Sequence, residues 1–319
     1  MERGTGVVGC EFAMSLRAET LQRARPVERV AAYLALTKPR IIELLLVTTL
    51  PTMVVAARGW PSLGLIVATL VGGSLAAGGA NALNMVIDRD IDRLMHRTKN
   101  RPLVTGQVTP QAALIFALSL ELVAFVELSI WVNTLSAVLA IAATAFYIGV
   151  YTVWLKRRSS QNIVIGGAAG AVPVLVGWAA VTGSLSWTPV LLFAVIFVWT
   201  PPHFWALAVR YRDDYEAASV PMLPVVATLE RTTRQIVVYT AVLVAITLAL
   251  APVADLGALY VAGAAVLGAV FLGMAVRLWW LAERGRATSR EAMRLFGYSI
   301  TYLTLLFVVM ACDVLIRFH

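Results

Sequence analysis

Asn81-Ala-Leu-Asn84-Met-Val-Ile-Asp88-Arg-Asp90-Ile-Asp92 is the stretch that decides what kind of chain this is. Behind it, from 63 to 87, no side chain is charged. A bilayer crossing takes roughly 20 mostly apolar residues, and backbone groups in hydrocarbon must bond within their own segment. The stretch is therefore expected to be a transmembrane helix. Directly after it come Asp88, Asp90 and Asp92, interleaved with and followed by Arg89, Arg93, Arg97, Lys99 and Arg101. Hydrocarbon gives way to charge within one turn.

The same alternation repeats outward in both directions. Spans are expected near 41–57, 63–87, 111–131, 134–154, 162–182, 188–209, 235–253, 257–280 and 295–316, the first being short. Only 14% of the 319 residues are charged and 60% are hydrophobic, where a soluble domain carries about 25% charged residues. The fold class read from this is all-α, a polytopic membrane protein of about nine transmembrane helices. Residues 1–40 are too polar and too long for an ordinary signal peptide and read as a retained cytoplasmic segment before one membrane domain, 41–319. Within that segment only Ala31–Leu36 is mildly amphipathic, a candidate for lying on the membrane surface. Cys10 and Cys312, one near each end, offer neither metal spacing nor a disulfide framework.

Lys and Arg fix the expected orientation. The N-terminal segment carries seven and the loops after spans 2, 4, 6 and 8 carry five, three, four and five, so 24 of 26 lie on one side, with only Arg58 and Arg317 opposite. By the positive-inside rule the N-terminus is cytoplasmic and the C-terminus is on the other side. The net charge of +8 is thus spread over inter-helix loops beside a lipid bilayer, and no nucleic-acid partner is expected.

The acidic residues of these loops share the cytoplasmic face. Asn84, Asp88 and Asp92 follow one another at i, i+4 and i+8, which stacks them on one side of a helix, with Asn81 one turn deeper. Carboxylates one turn apart repel, and a hard divalent cation between them would relieve that. Magnesium prefers carboxylate oxygens and keeps positions free for water and phosphate. The basic run His96-Arg97-Thr-Lys99-Asn-Arg101 beside it has the bidentate donors that bind a diphosphate. Acids and bases at the end of an apolar helix suit a ligand with a diphosphate head and a greasy tail. The bland alternative is a solvated loop whose charges pair and set topology.

Asp213, Asp214 and Glu216 form a second acidic cluster on the same side, able to complete a two-site cage around a diphosphate. Adjacent carboxylates cannot share one helix face, so one of Asp213 and Asp214 is open to metal while the other caps a helix or pairs with Arg210. Lys156, Arg157 and Arg158 end span 4 below Tyr147 and Tyr151. Two readings stand: topological anchors with interfacial tyrosines, or a diphosphate donor in Lys156. Pro201 and Pro202 are expected to interrupt and bend span 6. His203 follows at once among Trp199, Phe204 and Trp205, either held structurally or touching substrate, including an axial contact to haem iron. Gly166, Gly167 and Gly170 read as close helix approach. Glu43, Glu121 and Glu127 are acids inside spans with no assigned role. Glu43 is expected to reach water at the cytoplasmic end, while Glu121 and Glu127, six apart, are expected on different sides of their helix.

Asn84-x-x-x-Asp88-x-x-x-Asp92 resembles the first Asp-rich motif of the UbiA-type intramembrane prenyltransferases. Asn84-Met-Val-Ile-Asp-Arg-Asp-Ile-Asp92 and Arg97-Thr-Lys-Asn-Arg101-Pro-Leu are similar, more narrowly, to the haem O synthase branch of that family. The same holds for Tyr151-Thr-Val-Trp-Leu-Lys-Arg-Arg158, Asn162-Ile-Val-Ile-Gly-Gly, Trp199-Thr-Pro-Pro-His-Phe-Trp205, Asp213-Asp-Tyr and Val220-Pro-Met-Leu-Pro-Val-Val226. The likeness runs from about Leu36 to the C-terminus.

The resemblance implies a nine-helix bundle around a central cavity, in a bacterial cell membrane, with a cytoplasmic, magnesium-dependent active site. It implies that farnesyl diphosphate alkylates a vinyl group of haem b, here a substrate, to give haem O for terminal oxidases. A partner that delivers haem or assembles the oxidase would fit that role. On the same analogy Asn84, Asp88 and Asp92, with Asp213 or Asp214, hold magnesium and form the catalytic set. Asn81, Arg97, Arg101, Lys156 and Arg158 bind the diphosphate, Tyr147 and Tyr151 line the substrate site, and His203 contacts haem. Met85 stands where the wider family often has Asp, and Asp213-Asp214 replaces a clear Asp-x-x-x-Asp. Two rivals remain: a prenyltransferase for an aromatic or quinone precursor, and a proton-coupled transporter.

Overall fold

The computed structural model describes residues 26–318, apart from the side chains of Arg40, Ile41 and residues 43–46. The expectation for Glu43, and those for Cys10 and the segment before Pro26, fall outside the described residues. Two short pieces, α1 (Pro26–Thr37) and α2 (Pro39–Ala57), precede α3 (Leu63–Ile87). Then come α4 (Arg89–Leu94), α5 (Pro102–Thr105), α6 (Pro110–Trp131), α7 (Thr134–Ala145) and its π-helical continuation Phe146–Leu155. The remainder is α8 (Asn162–Thr182), α9 (Trp187–Arg210), α10 (Arg212–Ala217), α11 (Leu223–Val226), α12 (Leu229–Val253), α13 (Ala258–Glu283) and α14 (Ser289–Phe318).

Eight of these helices are long and apolar enough to cross a membrane, counting α7 with its continuation as one; the described apolar part of α2, Val47–Ala57, is shorter. Contacts at both ends show that α2 nevertheless traverses the bundle. At its start Lys38 reaches Asn84 (2.9 Å) at the charged end. Past its last residue, the Arg58 guanidinium lies 5.1 Å from the ring of Phe318 at the far end of α14. Helices α12 and α14 begin about six residues before the apolar runs that mark them in the sequence. Arg231, Arg234, Arg290 and Arg294 lie in those extensions, where the helix continues beyond its apolar part.

Local signals set the boundaries. Ser62, Thr109, Asn133 and Thr228 accept from Leu65, Ala112, Ser136 and Arg231 backbone N–H groups, capping α3, α6, α7 and α12. Gly183, at φ 65°, closes α8 in the left-handed conformation that glycine adopts without a steric penalty.

Neighbouring helices close into a ring, α2–α3–α6–α7–α8–α9–α12–α13–α14 and back to α2, with α2 against α8 and α9 against α14 across it. The outward face of α6 carries Ile115, Leu122, Val126 and Ile130 exposed, the surface a lipid-facing helix presents. Inside, the two halves differ. Among α9 and α12–α14 the core is solid, filled by Trp205, Ile236, Leu243, Tyr260, Phe271, Tyr302 and Phe307. Its polar atoms are consumed locally: Tyr260 donates to the Thr247 carbonyl (2.9 Å), and the Thr247 and Tyr302 hydroxyls pair (2.9 Å). Between α2, α3, α7, α8, α9 and α14 the bundle is hollow. Helix α1 lies on the charged end, burying Ala32 and Leu36 with Ala82, Met85, Leu103 and Ala117, and setting Tyr33 edge-on to Phe116 at 5.0 Å.

Three sequence expectations change here. Pro201 and Pro202 do not interrupt α9, which stays helical from Trp187 to Arg210 around them. Glu121 and Glu127 do not face different ways. A Cβ on Gly79 would come within 2.6 Å of Glu121 Oε1 and one on Gly72 within 2.1 Å of Glu127 Oε2, so both acids reach into glycine notches on α3. Glu121 also accepts from the Thr144 hydroxyl at 3.1 Å. Gly166 and Gly167 do permit close approach, to the Tyr151 ring (2.3 Å from a hypothetical Cβ) and to Thr200 (2.9 Å), but Gly170 fronts open space.

Candidate active site

The hollow is a cavity of about 510 Å³, within the usual range for small-molecule sites. Its wall is mostly small and apolar, with Ala77, Ala140, Ala143, Val172 and Ile196 among scattered threonines, and its charged and amide side chains gather at the charged end. There it is lined by Lys38, Asn81, Asn84, Asp92, Arg97, Arg101, Tyr147, Tyr151, Lys156 and Tyr215, with His203 further in.

The end of α3 builds the centre of this mouth. Asp88 closes α3 at φ −82°, ψ 5°, yet its N–H still bonds the Asn84 carbonyl and the Asp92 N–H bonds the Asp88 carbonyl, each at 2.9 Å. The i, i+4, i+8 stripe therefore survives the change of helix. Asn84 Nδ2 donates to Asp88 Oδ2 (2.7 Å) and to the Thr152 hydroxyl (3.1 Å), while its Oδ1 accepts from Lys38. Asn81 Nδ2 donates to the Thr37 carbonyl at 3.0 Å. Asp88, fully buried and not itself on the cavity lining, pairs with Lys156, and Asp92 pairs with Arg101 at 2.5 Å. The repulsion between the two carboxylates is thus relieved by the chain's own cations, before any metal is considered.

Lys156 reaches Asp88 because α7 widens into a π-helix over Phe146–Leu155, where Lys156 N–H bonds the Tyr151 carbonyl five residues back (2.8 Å). Such segments are rare and often accompany function. In it Tyr147 and Tyr151 stack at 5.5 Å with planes 8° apart, both on the cavity. Of the three bases here, Arg158 is exposed and away from the cavity. Arg157 instead grips Asp90 at 2.6 and 2.7 Å and comes within 4.0 Å of Asp88. That guanidinium holds the Asp90 carboxyl below its ordinary range.

Asp213 and Asp214, expected with the metal set, are placed differently. Asp213 is exposed, and Asp214 accepts from the backbone N–H groups of His96 (3.2 Å) and Arg97 (3.0 Å). Asp214 thereby ties the Arg-rich loop to α10 and sets Arg97 over Tyr211 and beside Tyr215. Burial pushes the Tyr215 hydroxyl pKa up, so it stays protonated as a donor at the mouth. With the diphosphate substrate and magnesium that the family resemblance implies, Asp214→Ala is accordingly expected to raise KM for the diphosphate about tenfold, as loss of an outer partner typically does, while leaving the magnesium concentration for half-activation unchanged. A magnesium titration of the variant checks this; a large rise in the metal requirement would make Asp214 a ligand.

Sequence reasoning passed over Lys38. It adopts a left-handed backbone (φ 52°, ψ 64°), uncommon for a residue with a Cβ, between the ends of α1 and α2. Burial, with Arg101 and Lys156 nearby, lowers its pKa to about 7. A diphosphate at the mouth would favour the protonated form.

A divalent ion fits the donor set at one point. Asp88 Oδ1 is buried without a hydrogen-bond partner, the Arg157 guanidinium lying 4.0 Å away, and Asp92 follows one helical turn later. Among the described residues no three acidic, imidazole or thiol side chains converge. An ion here would have Asp88 and Asp92 as carboxylates and leave its other positions to amide oxygen, water and phosphate, the usual habit of magnesium.

A greasy chamber closed by paired acids and bases defines a membrane-embedded enzyme that handles a phosphorylated lipid. The sequence profile described as the UbiA prenyltransferase family matches residues 45–300. The chain belongs to that family. Among curated relatives, proteins named protoheme IX farnesyltransferase from Parafrankia sp. (strain EAN1pec) and Nocardioides sp. (strain ATCC BAA-499 / JS614) are 56% and 54% identical. The first alignment covers 92% of this chain and 93% of the relative, the second 96% and 98%. Among solved structures, one described as digeranylgeranylglyceryl phosphate synthase has TM-score 0.73 at 15% identity, covering 90% of this chain and 99% of its own. A UbiA homolog from Archaeoglobus fulgidus bound to GPP and Mg2+ has TM-score 0.60 at 17% identity, covering 88% and 99%. At these identities the two structures bear on the fold alone.

Proposed function

We propose that this chain transfers the farnesyl group of farnesyl diphosphate to a vinyl group of haem b, giving haem O and diphosphate. The observation that carries the reading is one cavity joining a cation-rich mouth to an aromatic-clasped imidazole, His203, in a chain more than half identical to proteins named for this reaction.

Lys38, Arg97, Arg101 and Lys156 bind the diphosphate and stabilise the charge that builds on it as the C–O bond breaks with its electron pair. Asp88 and Asp92 hold magnesium, which when bound neutralises part of that charge. The apolar wall keeps water from the allylic cation. The vinyl π pair then forms the new C–C bond, and water adds to the remaining carbocation with loss of a proton, leaving a hydroxyethylfarnesyl group. Tyr147 and Tyr151 offer stacked faces along the farnesyl path. The charged end is cytoplasmic, as the Lys and Arg distribution implies, and the membrane is the bacterial cell membrane, a reading supported by the bacterial relatives.

Purified protein given farnesyl diphosphate, magnesium and either haem b or 4-hydroxybenzoate is expected to prenylate only the haem, read by product mass. Prenylation of the aromatic acid alone would replace this reading with that of the rival acceptor. Solute transport without any prenylated product would replace it with a carrier.

A further inference from the structure

Ser299 lies on α14, fully buried, and its place in the sequence gives no reason to single it out. Its hydroxyl sits 2.6 Å from the Phe296 carbonyl and 2.7 Å from His203 Nδ1. A carbonyl can only accept, and a hydroxyl has one hydrogen. The Ser299 hydrogen is therefore spent on Phe296, and the contact with His203 requires Nδ1–H as donor. The tautomer follows: Nε2 carries the lone pair.

The ring is also fixed in orientation. Trp199 stacks on one side at 4.2 Å and 21°, Phe296 at 4.5 Å and 29°, with Phe204 edge-on at 5.1 Å. Trp199 is itself anchored, donating Nε1–H to the Ser299 carbonyl at 2.8 Å. With both faces covered and Nδ1 engaged, Nε2 is the polar atom left. Among the described residues it has no hydrogen bond, and the ring lines the cavity. A neutral imidazole whose other nitrogen donates to a fixed acceptor is the arrangement by which proteins set a histidine for metal ligation. Gly170, with nothing within 4 Å of a hypothetical Cβ, fronts open space in the same cavity.

We propose that Ser299 is a positioning residue that holds the His203 proton on Nδ1, so that Nε2 ligates the iron of the porphyrin acceptor and orients its vinyl edge toward the prenyl donor. The proposal rests on the haem reading above and deepens it.

Ser299→Ala and the near-isosteric Ser299→Cys both remove a good acceptor while keeping the backbone carbonyl that anchors Trp199. Each is to be purified, loaded with haem b, reduced, and examined by resonance Raman for the iron–histidine stretch, with haem Kd by Soret titration. Wild type is expected to show the band. His203→Ala loses it, and added imidazole restores a ligated spectrum. Both Ser299 variants shift or broaden the band and bind haem about tenfold more weakly, as loss of such an outer partner typically does, with KM for farnesyl diphosphate unchanged. A wild-type band and affinity in either Ser299 variant would overturn the role of Ser299. Persistence of the band in His203→Ala, or no band in wild type, would overturn ligation. Haem O formation by wild type, followed by mass, decides the underlying reading separately.

Discussion

Asp88→Ala is expected to lower kcat at least about a thousandfold, in the range for removing a group that organises transition-state charge. Asp88 is fully buried, takes hydrogen bonds from Asn84 and Lys156 on one oxygen, and leaves the other without a hydrogen bond, 4.0 Å from the Arg157 guanidinium. Alanine removes that oxygen along with the counter-charge of Lys156. The measurement is single-turnover diphosphate release with saturating magnesium, on protein first shown to be membrane-inserted and folded. Turnover within tenfold of wild type would remove Asp88 from the reaction.

Lys156→Met is expected to cost about 3–5 kcal/mol of stability in magnesium-free buffer, since breaking a buried ion pair leaves an uncompensated buried charge. After the substitution the nearest cation to Asp88 is Arg157 at 4.0 Å, on a half-exposed side chain already committed to Asp90. Magnesium bound to Asp88 would restore part of that loss. Thermal unfolding in detergent, with and without the metal, should therefore show a larger magnesium-induced rise in Tm for the variant than for wild type. Equal rises would mean that the ion does not sit on Asp88.

The two variants probe features of unequal legibility. The helices were readable because hydrocarbon leaves the backbone no alternative, and uncharged runs such as 63–87 mark them directly. The stripe Asn84, Asp88, Asp92 was readable because its partners are local, four residues apart. Lys38 was hidden: its partner is 46 residues away and depends on a left-handed turn at the lysine itself. Likewise, nothing in Lys156-Arg157-Arg158 says which base faces inward, because that is set by the π-helical turn before it. The double acid was legible as a charged cluster, but nothing in Asp213-Asp214 says that Asp214 accepts from the amides of His96 and Arg97, 118 and 117 residues away. Ser299 carried no signal, being meaningful only through a ring on another helix.

The widened turn at Phe146–Leu155 acts as a phase setter. An α-helix advances about 100° per residue, so the extra residue it absorbs decides which way everything downstream points. Shortening that stretch by one would swing the Lys156 ammonium about a quarter of a revolution off its anion while leaving the span's apolar length nearly intact. Insertions and deletions here would therefore be felt as lost chemistry in a protein that still reaches its membrane, so the segment's length is constrained more tightly than its mostly apolar lettering suggests.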